Sequence, residues 1–214
     1  MLRASAEHAA ALHAAIREVH GVDVPPGRVE AAGRTDLDIA RSILALAGVG
    51  DDAVDARRDQ VAAATATHYG RLVPADLSAR VAPGIPAVLD ALAGAGEHVL
   101  SLVTGNLEPV ARLKLGAAGI GHHFAAGQGG FGSDAEDRAQ LPRVARERAG
   151  GQGTPYPREG TVVIGDTPRD IACARADGVR VIGIATGPFA AAQLAAADLV
   201  VERAADLPAA IAAF

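Results

Sequence analysis

Two carboxylates four positions apart frame the stretch Gly165-Asp166-Thr167-Pro168-Arg169-Asp170, which follows the apolar run Thr161-Val162-Val163-Ile164. One carboxylate on a strand end and one in the first turn of a helix can face a common cleft. Hard oxygen ligands that leave room for water suit Mg²⁺. The same residues have a structural reading. Thr167 can cap the helix, Pro168 fits its first position, and Asp170 completes a capping box. Capping leaves Asp166 unexplained, since it is a charge at the end of an apolar strand. Metal binding and capping both stand for this pair. Upstream, Thr104-Gly105-Asn106 offers a hydroxyl, a residue that permits close backbone approach, and a cap. Free N–H groups at a helix start suit phosphate, although an ordinary strand-to-helix turn with an Asn cap would use the same residues. Between the two turns lies Arg138, the candidate cation for a phosphoryl group. Arg143, Arg146 and Arg148 are placed on a solvent face, and Lys114 is placed on a helix surface. The seven histidines, including the adjacent pair His122-His123, are read as surface or helix residues, and Cys173 as a packed small residue.

These residues need elements to hold them. Periodicity predicts helices over 4–20, from Thr35-Asp36 to Gly48, and over 51–69, with a turn at Val24-Pro25-Pro26-Gly27. No strand is expected in the first 75 or so residues. From about residue 80 the pattern alternates. A helix over 85–95 precedes a buried strand over 98–103, and a helix over 107–118 precedes a short strand over 124–127. A polar-faced helix over 135–149 leads into a Gly/Pro-rich loop over 150–160. Strands over 161–164, 180–184 and 199–201 then alternate with helices over 168–177 and 189–196, and a last helix starts at Asp206. This alternation implies a parallel sheet with helices on both faces. Ligands bind such sheets at the carboxyl ends of the strands, where the two turns lie. The expected division is a helical domain over 1–78 and an α/β core over 79–214.

Composition bounds the function. Half of the 214 residues are apolar, only 3% are aromatic, and the net charge is −5. A nucleic-acid partner would favour a basic face, so none is expected. Lys114 is the sole lysine among 20 basic residues, which reads as coding bias. A single cysteine points to a reducing, cytoplasmic setting. No apolar run is long enough to span a bilayer, and no membrane partner is expected.

Taken in order, Leu102-Val103-Thr104-Gly105-Asn106, then Arg138, then Val163-Ile164-Gly165-Asp166-Thr167-Pro168-Arg169-Asp170 resemble the haloacid dehalogenase-like (HAD) hydrolase superfamily. Gly33-Arg34-Thr35-Asp36 resembles a cap segment of its phosphoglycolate phosphatase-like branch. The resemblance implies a Rossmann-like core with a helical cap. It also implies Mg²⁺-dependent hydrolysis of a small phosphorylated metabolite through an aspartyl-phosphate. Thr104, Gly105 and Asn106 would bind phosphate, with Thr104 and Arg138 catalytic. Asp166 would hold Mg²⁺, supported by Asp170 directly or through water. The family's first motif, DxDx(T/V), is missing. The sole DxD, Asp36-Leu37-Asp38, follows no apolar strand and sits in the cap pattern. Met1-Leu2-Arg3 reads as the residues after such a motif. The expectation is therefore a chain truncated ahead of its nucleophile, lacking the central first strand and inactive as it stands. The alternatives are a non-catalytic binding protein of the same fold, a haloacid dehalogenase, and an unrelated doubly wound domain in which Asp166 touches a ribose.

Overall fold

The computed structural model describes residues 2, 6–24, 29–151 and 153–214. Of the turn expected at Val24-Pro25-Pro26-Gly27, all but Val24 lies outside the described residues, as do Met1 and Arg3. The chain starts as helices: α1 (Ala6–His20), α2 (Asp36–Leu46), α3 (Asp51–Ala56) and α4 (Arg58–Leu72). Thr35 opens α2, its side chain accepting from the Asp38 N–H. The single helix expected over 51–69 is broken at Arg57, which leaves helical geometry at φ −119°. Its guanidinium donates to the Val19 carbonyl at 3.0 Å, tying the break to the end of α1. Val54 and Val61, on either side of the break, both join Leu12, Ile16, Ile43 and Leu44 in one apolar core.

The α/β part follows. Gly84 (φ 81°) turns the chain into α5 (Ile85–Ala95). Then come β1 (Val103–Thr104), α6 (Glu108–Ala117), β2 (Gly130–Phe131), α7 (Leu141–Ala149), β3 (Val162–Gly165), α8 (Pro168–Asp177), β4 (Arg180–Ile184), β5 (Leu199–Val201) and α9 (Leu207–Ala212). Every strand pair is parallel: β1 with β2, and β3–β4–β5 in register from Val162↔Arg180 and Ile182↔Leu199. Successive β4 residues serve opposite faces, as a pleat requires. Ile182 and Ile184 pack with Leu89, Leu102 and Phe131, while Val181 packs with Val163, Ile171 and Leu194. This is a Rossmann-like sheet covered on both faces, with a helical layer beside it.

Several elements differ from expectation. The strand expected over 98–103 forms a ladder only at 103–104, and its partner is residues 130–131, not 124–127. Residues 121–123 form a short turn of helix, closed by Phe124 N–H to Gly121 O. The helix expected from 135 begins at Leu141, after a turn capped by the Asp137 side chain. Pro142, which lacks an N–H, suits that first turn. The helix expected over 189–196 is a single tight turn, Ala191–Leu194.

The sheet is split. Among the described residues β1 pairs only with β2, and β3 only with β4. Residues 98–106 and 160–167 line one cleft of about 980 Å³. Val99 and Ile164 are left 55% and 40% exposed. A strand becomes regular when it has a ladder partner, which explains why residues 98–102 stay irregular.

Candidate active site at the split sheet

The turn after β3 is built by local hydrogen bonds. Thr167 and Asp170 form a reciprocal capping box at the start of α8. One oxygen of Asp170 accepts from the Asp166 N–H (3.1 Å), the Thr167 N–H (3.0 Å) and the Thr167 hydroxyl (2.9 Å). The other accepts from Arg138 Nη2 at 2.5 Å. A side chain on Gly165 would put its Cβ 2.2 Å from that of Asp170, so only glycine fits there. Both oxygens of the buried Asp170 are thus engaged, one by three donors and the other by Arg138 alone. Asp166 differs. It lines the cleft half-buried, against the backbone of Gly187, and its carboxylate has no hydrogen-bond or ion-pair partner among the described residues. Arg138 also lines the cleft, and its Nε is buried without a partner. The turn therefore presents one unpaired carboxylate, Asp166, in the cleft where Arg138 is held on Asp170.

The turn after β1 is tied to the helical layer. The Thr104 hydroxyl accepts from the Asn106 N–H at 3.2 Å. The Gly105 carbonyl accepts from the Asp36 N–H at 2.8 Å, and a Cβ on Gly105 would lie 2.0 Å from the Arg34 carbonyl. Asp36, 1% exposed, accepts from Leu107 N–H (2.9 Å) and Asn106 Nδ2 (3.2 Å). At the start of α6 the Leu107 N–H is thus taken by a carboxylate from α2, and the Glu108 N–H donates to Ser133 Oγ at 3.2 Å. All six residues singled out in the sequence border the cleft, as Arg34, Asp36 and Lys114 also do. The Asp36-Leu37-Asp38 triplet is occupied at both ends, since Asp38 pairs with Arg34.

Lys114 corrects the sequence reading, as it is not a surface lysine. Its ammonium donates to Asn106 Oδ1 (2.7 Å) and His8 Nδ1 (3.0 Å), and it lies 5.5 Å from the Tyr69 ring centre. His8 Nε2 donates in turn to Asp36 at 3.0 Å. Burial pulls the Lys114 pKa from 10.5 down to about 8, against the opposing pull of Asp36. The unfolded chain then binds more protons than the native one between pH 8 and 10.5, so stability from this group rises with pH across that window. Between pH 7.5 and 10 the native protein is expected to gain about 2 kcal/mol relative to Lys114→Met. Urea denaturation of both at the two pH values measures it, and parallel pH profiles would refute a perturbed Lys114.

The helical layer grips the core at further points. The Thr35 hydroxyl donates to Glu136 O at 2.6 Å, and Arg41 makes two bonds to the Glu136 carboxylate at 2.7 and 2.9 Å. Arg169 donates to Ala32 O. Gly33 takes φ 71° against Thr167 and Arg169, where a Cβ would lie 2.8 Å from that of Arg169. Sequence reasoning missed Asp36, Lys114 and Glu136 as members of the site region, because each has a partner more than 70 positions away: Leu107, His8 and Arg41 respectively. The Gly33-Arg34-Thr35-Asp36 stretch was the available signal. Arg146 is a further correction. It is buried on Asp177 rather than solvent-facing, whereas Arg143 is 70% exposed. Cys173 is buried as expected, and burial raises its thiol pKa.

The family model for haloacid dehalogenase-like hydrolases matches residues 7–175. The chain belongs to this family. Solved structures agree with the fold of this HAD-like hydrolase. A haloacid dehalogenase-like family hydrolase from Streptococcus pneumoniae aligns at TM-score 0.54 and 20% identity, covering 95% of this chain and 91% of its own. A hydrolase from Pseudomonas syringae aligns at 0.58 and 18%, covering 97% and 91%. A family IA, variant 3 HAD hydrolase from Entamoeba histolytica aligns at 0.59 and 14%, covering 93% and 86%. No curated protein sequence matches the HAD-like chain. No helix among its described residues is long and apolar enough to cross a membrane.

Proposed function

We propose that the site is that of a Mg²⁺-dependent phosphatase for a small phosphorylated metabolite, and that the chain as it stands does not turn over. The observation that carries this is the partnerless Asp166 carboxylate at the carboxyl end of β3, beside Asp170 and Arg138 in the cleft that Thr104 also borders. Asp166 would hold Mg²⁺, with Asp170 acting through water. Mg²⁺ there would offset charge on the phosphoryl oxygens. Arg138 and the Thr104 hydroxyl would orient the phosphoryl group, with Gly105 and Asn106 shaping the turn that carries it. The helical domain, 1–78, would close the mouth of the cleft over the core, 79–214, and exclude water.

A phosphoryl transfer of this kind needs a carboxylate nucleophile. Among the described residues lining the cleft the other carboxylates are Asp36, Asp170 and Glu97. Asp36 and Asp170 are engaged by donors, and Glu97 precedes residues 98–102, at the far end from the turn. None is free to attack, which supports the reading of an inactive chain. The single buried cysteine fits a cytoplasmic setting.

Calorimetric titration with Mg²⁺, then with orthovanadate in its presence, tests the reading. Vanadate binding that needs Mg²⁺ is expected, and Asp166→Asn should weaken Mg²⁺ binding by at least about tenfold. No hydrolysis of p-nitrophenyl phosphate above background is expected. Unchanged Mg²⁺ binding in Asp166→Asn would end the metal assignment, and turnover by this chain would end the claim of inactivity.

A further inference from the structure

We propose that Asp90, His122 and His123 form a second metal site, outside the cleft, for a divalent transition metal of the Zn²⁺ type. Their ligand atoms lie within 4.8 Å of one another. Asp90 stands on α5, and the two histidines stand on the tight turn Gly121–His123 after α6. His123 Nε2 lies 3.3 Å from Asp90 Oδ1. For Zn²⁺ with bonds of about 2.0–2.1 Å, the edge of a ligand tetrahedron is roughly 3.3–3.4 Å, so this pair already has the spacing that a shared metal needs. Neighbouring residues ordinarily point their side chains apart, yet the rings of His122 and His123 lie 4.0 Å apart at a 39° tilt. The His123 side chain is only 5% exposed, on the helical turn Gly121–His123.

The scaffold is rigid where it needs to be. A Cβ on Gly121 would lie 3.2 Å from the Gly116 backbone N, so the turn is seated on the end of α6. Phe124, directly after the pair, is buried in the main core. His123 is thereby fixed, while Asp90 and His122 are exposed and can close the remaining distance by rotamer changes. Two imidazoles and one carboxylate favour Zn²⁺, Co²⁺ or Ni²⁺ over Mg²⁺ and Ca²⁺, which prefer oxygen. A hollow of about 470 Å³ borders His122. The metal would staple α5 to the turn after α6.

The experiment is calorimetric titration of tag-free, chelator-stripped protein with ZnCl₂ under excess Mg²⁺, with Co²⁺ absorption as a coordination readout. About one Zn²⁺ per chain and a raised melting temperature are expected. Asp90→Asn and His122→Asn, both at exposed positions, should each weaken Zn²⁺ by at least about tenfold. Asp166→Asn should leave the Zn²⁺ titration unchanged, which separates this site from the Mg²⁺ assignment. Absence of Zn²⁺ binding, or equal binding by native protein, Asp90→Asn and His122→Asn, would overturn the proposal.

Discussion

Asp36→Ala is expected to lower the unfolding free energy by about 3–5 kcal/mol, the usual cost of breaking a buried charge network from one side. The carboxylate accepts from Leu107 N–H, Asn106 Nδ2 and His8 Nε2. Alanine would leave these donors without their acceptor in a region closed to water, and unmet buried donors cost about 1–3 kcal/mol each. It would also remove the opposing charge from Lys114, whose ammonium is already disfavoured by burial. The loss falls at the junction of the two parts, because Leu37 and Tyr69 of the helical layer pack there on Leu107 and Val110 of the core. Asp36→Asn keeps the shape and one acceptor, so it should fall between native and alanine. Urea unfolding of the three proteins measures the series. A cost below about 1 kcal/mol for alanine would mean that water reaches the junction and the network is not closed.

Asp177→Ala should cost a comparable amount, about 3–5 kcal/mol, for a different reason. Asp177 makes two bonds to Arg146, at 2.7 and 2.8 Å, with the side chains 3% and 7% exposed. Arg cannot shed its proton inside the protein, so removing the carboxylate strands a full charge. Arg146 also donates to Tyr156 O at 2.7 Å, and Arg158 donates to Asp177 O at 2.6 Å, so the 150–160 loop is tied at two points to this pair. The loop should loosen in the variant and become sensitive to protease. Arg143→Ala is the control. Its partner is Glu147 on an exposed helix face, and a change within about 0.5 kcal/mol is expected. The double change Arg146→Met with Asp177→Leu should recover most of the loss, because no charge is then left buried. Thermal and urea unfolding of the set decides it. If Asp177→Ala matches Arg143→Ala, the pair is not carrying the loop.

What the sequence determined by itself is the chemistry written in short spans. The Gly165 to Asp170 turn was legible because a capping box closes over three residues, and Thr167 and Asp170 need nothing remote to form it. Strands β3, β4 and β5 were legible because an apolar run between breakers is a local signal. The family resemblance was legible for the same reason, since its motifs are contiguous. Only the tertiary structure decided the rest. The strand expected over 98–103 gave way to a two-residue ladder at 103–104 because regular extension depends on a neighbouring strand, and among the described residues only 130–131 pair with it. Whether a charge is solvated or buried depends on partners that sequence distance hides. Lys114 meets His8 across 106 positions, Asp36 meets Leu107 across 71, and Arg146 meets Asp177 across 31. Asp90 and His123 likewise meet only because α5 packs beside the turn that follows α6. Electrostatic energy is set by distance and burial rather than by order along the chain, so residues of ordinary type became the buried network, the ion pair and the proposed second metal site only once the chain had folded.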